Sequence, residues 1–313
     1  MKNNLNYQLQ KLFLIILVLL VTPSISAEES FKPYLYNPEV PKAPALELEG
    51  SYKTELFPGA ATYTYQIKLP PATNGLQPHL TLSYNSQASN SRPGILGTGW
   101  SLSQNVIQRN TNNTPSDTSD DFFTLVLQGS SEKLINSQGV YHTQIDNYMR
   151  IEFEEDSWIL TAKDGTTYTF GSTPDSKLDS NLHAYTVKWS LKEIRDTHNN
   201  TITFTYAKDP DPEDLGTSYL TTIEYNQDKT RLVELSYEDT VRPDIWTSYE
   251  QGHKSSYSRR LQNIRVTAQD ELVRIYQFNY TTNPEQTRSF LQTLTHTGND
   301  GITSLPPLQI TYT

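Results

Sequence analysis

With 313 residues the chain has room for one large or two moderate domains and a full hydrophobic core. Apolar residues make up 35% and charged residues 19%, and 20 tyrosines stand among many Thr, Ser and Asn, a composition that suits half-buried strands better than helices. The formal charge of −10, which becomes −12 once a leader carrying Lys2 and Lys11 is removed, disfavours a nucleic-acid partner, and the absence of cysteine excludes disulfides, thiolate metal sites, a cysteine nucleophile and a lipid-modified N-terminal cysteine.

Leu12–Val21 is an unbroken apolar run of ten residues. At helical rise it reaches only about 15 Å, half of what a stable membrane span needs, so residues 1–27 are predicted to be a signal peptide. Thr22-Pro23-Ser24-Ile25-Ser26-Ala27 supplies the break and the small residues for cleavage after Ser26 or Ala27; an uncleaved anchor is the other reading. Export to the outside is expected, with the periplasm as the other compartment such a leader serves. Residues 28–50 carry Pro33, Pro38, Pro41 and Pro44, which remove backbone donors and favour extended chain; this is a leader or linker.

From residue 51 to 313 period-two alternation recurs and no helical stripe is sustained, so the body is predicted to be all-β, an extended antiparallel meander. Tyr63–Leu69 alternates until Pro70-Pro71 stops it, and Asn74-Gly75 marks a turn. Gly94-Ile95-Leu96-Gly97-Thr98-Gly99-Trp100 looks superficially like a phosphate loop, but no basic helix follows, and the glycines fit a tight backbone passage beside the indole. Trp158–Ala162 with Asp164-Gly165 and Tyr168–Phe170 reads as a hairpin, and Trp189–Ile194 with a turn at 196–200 and Ile202–Tyr206 as another. Five strands close on alternate bulky positions, the last a tyrosine: Tyr84, Tyr206, Tyr237, Tyr280 and Tyr312. Their spacings are irregular, so they favour a meandering sheet without proving a repeat.

Candidate chemistry is sparse. Histidines 79, 142, 183, 198, 253 and 296 show no ligand spacing, and GxSxG, Walker and dinucleotide patterns do not occur. Asp209-Pro210-Asp211-Pro212-Glu213-Asp214 gathers four carboxylates that could draw calcium, yet it lacks the glycine and alternating ligands of a calcium loop and reads as a solvated connection. Glu152 and Glu154 share a strand face, as in ADP-ribosyltransferases, but without the arginine and serine strand such a fold requires; Glu47 and Glu49 carry less weight still. Arg259-Arg260, with Arg265 nearby, reads as solvated strand ends. No catalytic, cofactor-binding or metal residue is therefore predicted, no cofactor is expected, and the chain is read as noncatalytic.

Phe57-Pro58-Gly59 through Ile67-Lys68-Leu69-Pro70-Pro71, then Gly75–Ser86, Gly97–Leu102 and Ile107-Gln108-Arg109, stand in a specific order. Asp120–Phe123 with Leu125–Leu127, Asp164–Gly171, Trp189–Asp196, Ile202–Tyr206, Arg260–Ile264, Arg288–Leu291 and Leu305–Pro307 before Tyr312 continue it. Over roughly residues 50–313 the chain resembles the SpvB-type N-terminal domain, named for the Salmonella virulence plasmid B protein. That domain also opens the B components of insecticidal Tc toxins and related RHS/YD-repeat proteins. The resemblance implies β-structure of the RHS-shell type, a structural role, and partners among toxin-complex or RHS-type polypeptides that supply C-terminal toxin or repeat segments. Longer family members continue into further repeats, so residues 51–313 are read as either a short relative or a truncated product. An exported glycan- or protein-binding module is the alternative, because many Tyr and Trp side chains can stack on ligands.

Overall fold

The computed structural model describes residues 50–55, 59–226, 228–282 and 288–312. The predicted signal peptide and all but the last residue of the Pro-rich leader lie outside the described residues, as do Glu47 and Glu49.

The alternation seen in the sequence becomes strands paired antiparallel throughout. A small sheet in the order β1-β2-β3-β4 comprises β1 (Ser51–Glu55), β2 (Ala60–Gln66), β3 (Thr81–Asn85) and β4 (Trp100–Leu102). Between β2 and β3 the two prolines end the alternation, and a tight turn follows in which Asn74 and Gly75 take φ of 53° and 73°.

A second sheet follows in near-sequential order, through β5 (Val106–Asn110), β6 (Phe122–Leu127), β7 (Ser130–Ser137), β8 (Val140–Thr143), β9 (Arg150–Glu154), β10 (Ser157–Thr161), β11 (Thr167–Phe170), β12 (Lys177–Asp179) and β13 (Thr186–Arg195). The ten-residue β13 pairs with β5 through Lys188↔Gln108 and Ser190↔Val106, and with β11 through Tyr168↔Ile194. Strands β5 to β11 and β13 thereby close into an eight-stranded ring, a small barrel whose interior must be filled by side chains. Aromatic residues fill it. Trp158, fully buried, lies 4.3 Å from Phe153, 4.8 Å from Tyr141, 5.0 Å from Phe123 and 6.0 Å from Trp189, mostly edge to face. Arg109 lies over Phe123, Tyr185 and Trp189 and pairs with the buried carboxylate of Asp121.

Beyond β13 the sheet opens into the predicted meander: β14 (Thr201–Lys208), β15 (Ser218–Tyr225), β16 (Arg231–Tyr237), then, after the separate hairpin of β17 (Thr247–Glu250) and β18 (His253–Ser256), β19 (Leu261–Ala268), β20 (Glu271–Thr282), β21 (Ser289–Thr297) and the short β22 (Leu308–Gln309). The inward residues of these strands, among them Ile202, Phe204, Val233, Leu235, Ile264, Tyr276 and Phe278, join Tyr65, Leu82 and Trp100 of the small sheet in one core. All-β architecture is thus as the alternation predicts; ring closure is the feature it does not announce.

Candidate functional site

Four of the five strand-ending tyrosines do the same thing. Tyr206 donates its hydroxyl to the Leu191 carbonyl at 2.7 Å, Tyr237 to Leu220 at 2.9 Å, Tyr280 to Leu261 at 2.6 Å and Tyr312 to Leu291 at 2.7 Å. Tyr206, Tyr237 and Tyr280 each reach back to the strand before their own, and Tyr312, three residues past β22, reaches back to β21. Just ahead of Tyr206, Tyr237 and Tyr280 the register slips by a bulge, which leaves them opposite Leu220, Leu261 and Leu291. The acceptor of one tyrosine is therefore the cross-strand neighbour of the previous one, and a ladder of alternating Leu and Tyr runs across the meander. Burial pushes the pKa of Tyr206, Tyr237 and Tyr280 well above the ordinary phenol range, so these hydroxyls stay protonated and donate. Tyr84 differs: its ring packs 5.4 Å from Trp100 and 6.1 Å from Tyr312.

The small sheet is fastened to this meander along a polar seam. The carbonyls of Pro70 and Pro71, which no proline N–H can match locally, accept from Tyr225 Oη at 2.8 Å and Arg231 Nε at 3.0 Å. Burial pushes the Tyr225 pKa up to about 12. Lys68 N donates to Tyr276 Oη at 2.9 Å, and the Trp100 indole N–H donates to Tyr312 Oη at 3.0 Å. The glycine-rich loop lies against β21: Thr98 N donates to the Ser289 carbonyl at 2.8 Å, and a Cβ on Gly97, at φ +82°, would stand 2.8 Å from that same oxygen. A tight passage is what the glycines serve, but the crowding comes from β21 backbone and, at Gly99, from the Tyr84 ring, not from the indole.

Behind this loop lies a buried ion pair, and beside it the arginines that the sequence suggests are solvated form part-buried ones. Arg242 and Asp244, 1% and 6% exposed, pair at 2.7 Å, while Ser289 donates to Asp244 through its N at 2.6 Å and its hydroxyl at 2.7 Å. Burial alone would raise the Asp244 pKa; the bonds from Arg242 and Ser289, with the arginine charge, outweigh it and hold the carboxyl below its usual range. Arg260 forks onto Glu238 and lies 4.6 Å over the Tyr280 ring, and Arg259 forks onto Asp211. Arg259 and Arg260 side chains are each only 12% exposed, so they are not the free strand ends their sequence suggests.

The other sequence candidates are dispersed. In the acidic stretch Asp209 accepts from Thr217, Asp211 from Arg259, and the buried Asp214 from Tyr219 Oη at 2.7 Å and Ser258 N at 2.8 Å, so the carboxylates face separate partners. Glu152 and Glu154 lie on the outward side of β9, with Glu152 paired to Arg150. His253 is buried against the Gly216 carbonyl at 2.8 Å, His296 stacks on Tyr276 and His183 on Tyr185. Sequence reasoning misses a cavity of about 290 Å³ lined by the 79–80 and 92–106 segments and strands β13 to β16, with Tyr257. It is assembled from residues more than 100 positions apart, and no local pattern marks it.

A closed aromatic barrel running on into a tyrosine-laddered antiparallel meander defines a β scaffold class. The family model of the Salmonella virulence plasmid 65kDa B protein, SpvB, matches residues 56–144 and 139–243, and the chain belongs to that family. No curated protein sequence matches. Among solved structures the fold is similar to the crystal structure of TcdB2-TccC3, with TM-score 0.70 and 18% identity over 84% of this chain and 17% of that one. It is also similar to the Photorhabdus luminescens Tc holotoxin pore carrying the TccC3-D651A mutation, at 0.64 and 18% over 81% of this chain and 16% of the other. The N-terminal domain of the effector protein SpvB from Salmonella typhimurium strain LT2 gives 0.59 at 17% identity, over 74% of this chain and 98% of that domain. The chain therefore spans under a fifth of the toxin chains it matches and nearly the whole of the SpvB domain.

Proposed function

We propose that the chain is a noncatalytic structural module of a toxin- or virulence-type assembly. The observation that carries this reading is how its reactive side chains are engaged. Ladder tyrosines bond backbone carbonyls, and the clustered arginines fork onto carboxylates of neighbouring segments, so the polar groups fasten strands together. Under this proposal residues 1–27 direct export, residues 28–50 link, and residues 51–313 join other toxin-complex or RHS-type polypeptides outside the cell or in the periplasm. Family membership and the likeness to Tc toxin chains support such partners.

The test mixes the purified chain with polypeptides encoded beside its gene and follows them by native mass spectrometry. A stoichiometric assembly is expected, together with a protease-resistant body beginning near residue 50 and no transfer of label from NAD. Label transfer to an acceptor would end the noncatalytic reading. A second reading, a glycan- or protein-binding module, draws on Trp246 and Tyr249, 51% and 68% exposed at the β17–β18 hairpin. Saturable glycan binding without assembly would favour it.

A further inference from the structure

The cavity behind the glycine-rich loop has a charge pattern opposite to that of the whole chain. Its lining includes Lys188, Arg92 and His79 and no carboxylate, in a protein whose formal charge is −10. Its walls are part apolar and aromatic, with Trp100, Phe204, Tyr206 and Tyr257 among them, and part neutral polar, with Ser101, Ser103, Gln104, Asn105, Ser190 and Ser218. Lys188 enters from β13, half-buried, and its ammonium donates to one neutral acceptor, Gln104 Oε1, at 3.0 Å. Among the described residues no carboxylate lies within ion-pair distance of it. Glu250, whose field reaches it, is 66% exposed and stands 3.6 Å from Arg92.

Of the three donors on this ammonium one meets a neutral acceptor, in a solvent-exposed hydrogen bond at the cavity rim, and no carboxylate supplies a counter-charge. Burial accordingly pushes the Lys188 pKa down. At about 290 Å³ the space sits at the small end of ligand pockets, and such pockets pair apolar walls with a few placed polar groups.

We propose that this cavity binds a small organic monoanion, a carboxylate on a short apolar body, with Lys188 as counter-charge and the body against Phe204, Tyr206 and Tyr257. The site is independent of the scaffold role. Its occupant would wedge the small sheet against the meander, since the same cavity borders Trp100–Val106 on one side and β13–β16 on the other.

Isothermal titration of the full chain with hexanoate and with hexanol tests it, because the two share a body and differ in the charge. Hexanoate should bind about tenfold more tightly than hexanol, and Lys188→Met should abolish that preference while leaving hexanol binding unchanged. Mass-spectrometric mapping of amine acetylation gives a readout that needs no variant: hexanoate, and not hexanol, should slow modification of Lys188. Equal affinity for acid and alcohol, no saturable binding of hexanoate at millimolar concentration, or unaltered acetylation of Lys188 in its presence would each overturn the assignment.

Discussion

Each ladder tyrosine combines two contributions that differ in kind. Its ring covers the apolar face of the sheet, and its hydroxyl donates to a part-buried leucine carbonyl of the neighbouring strand. Removing only the hydroxyl isolates the second contribution. Tyr237→Phe should lower unfolding free energy by about 1–2 kcal/mol, because the Leu220 carbonyl loses its donor in a water-poor setting. Tyr249→Phe, at a ring 68% exposed, should stay within about 0.5 kcal/mol of the parent. Urea titrations read both as midpoint shifts at constant slope. Equal effects at the two positions would mean that the ladder bonds contribute nothing beyond solvent exchange.

At the scale of elements, local signals and long-range pairing separate clearly. The β10–β11 and β13–β14 hairpins are legible because alternation and turn residues sit within a few positions of each other, as Trp158↔Phe170 and Ile194↔Ile202 confirm. The tyrosines are legible as strand ends too, although their spacing hides the repeat. The wide interval between Tyr237 and Tyr280 exists because the β17–β18 hairpin is inserted there, off the path of the main sheet. Barrel closure is not legible, since it depends on Trp189 meeting Ile107 across the ring, a pairing that no short-range pattern encodes. The Arg259–Asp211 and Arg242–Gly94 contacts are hidden for the same reason, their partners lying 48 and 148 residues away.

Gly97 marks where such a long-range contact constrains an element. Gly97 and Gly129 have φ of +82° and +84°, so alanine costs a similar left-handed strain of about 1–2 kcal/mol at either. Nothing lies within 4 Å of a Cβ at Gly129, whereas at Gly97 it meets Ser289 backbone at 2.8 Å. Gly97→Ala must therefore also push the loop from β21 and lengthen the Thr98–Ser289 bond, and it should cost about 1–3 kcal/mol more than Gly129→Ala by urea unfolding. Matching losses would show that the seam yields to a methyl group.

For the whole molecule, two sets of shifted groups with opposite charge logic bound stability in pH. Asp211 is held below the usual carboxylate range by Arg259, and Asp175 and Asp244 by hydrogen bonds and cationic neighbours that outweigh burial. A lowered folded pKa means that the unfolded chain binds more protons. This stabilisation is complete above the unfolded value of about 4 and is lost as pH falls through the folded values. Tyr206, Tyr237 and Tyr280 are raised by burial, so their contribution is complete below about pH 10, the unfolded phenol value, and is lost as pH climbs through the folded values. Lys188, whose charged form is disfavoured by burial, works against the tyrosines on the alkaline side, but it is one group against several. Urea midpoints should accordingly form a plateau between about pH 5 and pH 9, with an acid limb and an alkaline limb. Asp244→Asn should make the acid limb shallower while lowering the plateau, because the variant keeps the buried Arg242 without its counter-charge. Tyr237→Phe should make the alkaline limb shallower and leave the slope of the acid limb unchanged, on a plateau lowered by the lost bond to Leu220. An alkaline limb as steep in that variant as in the parent would assign the loss to lysine and arginine titration and remove the buried phenols as its cause.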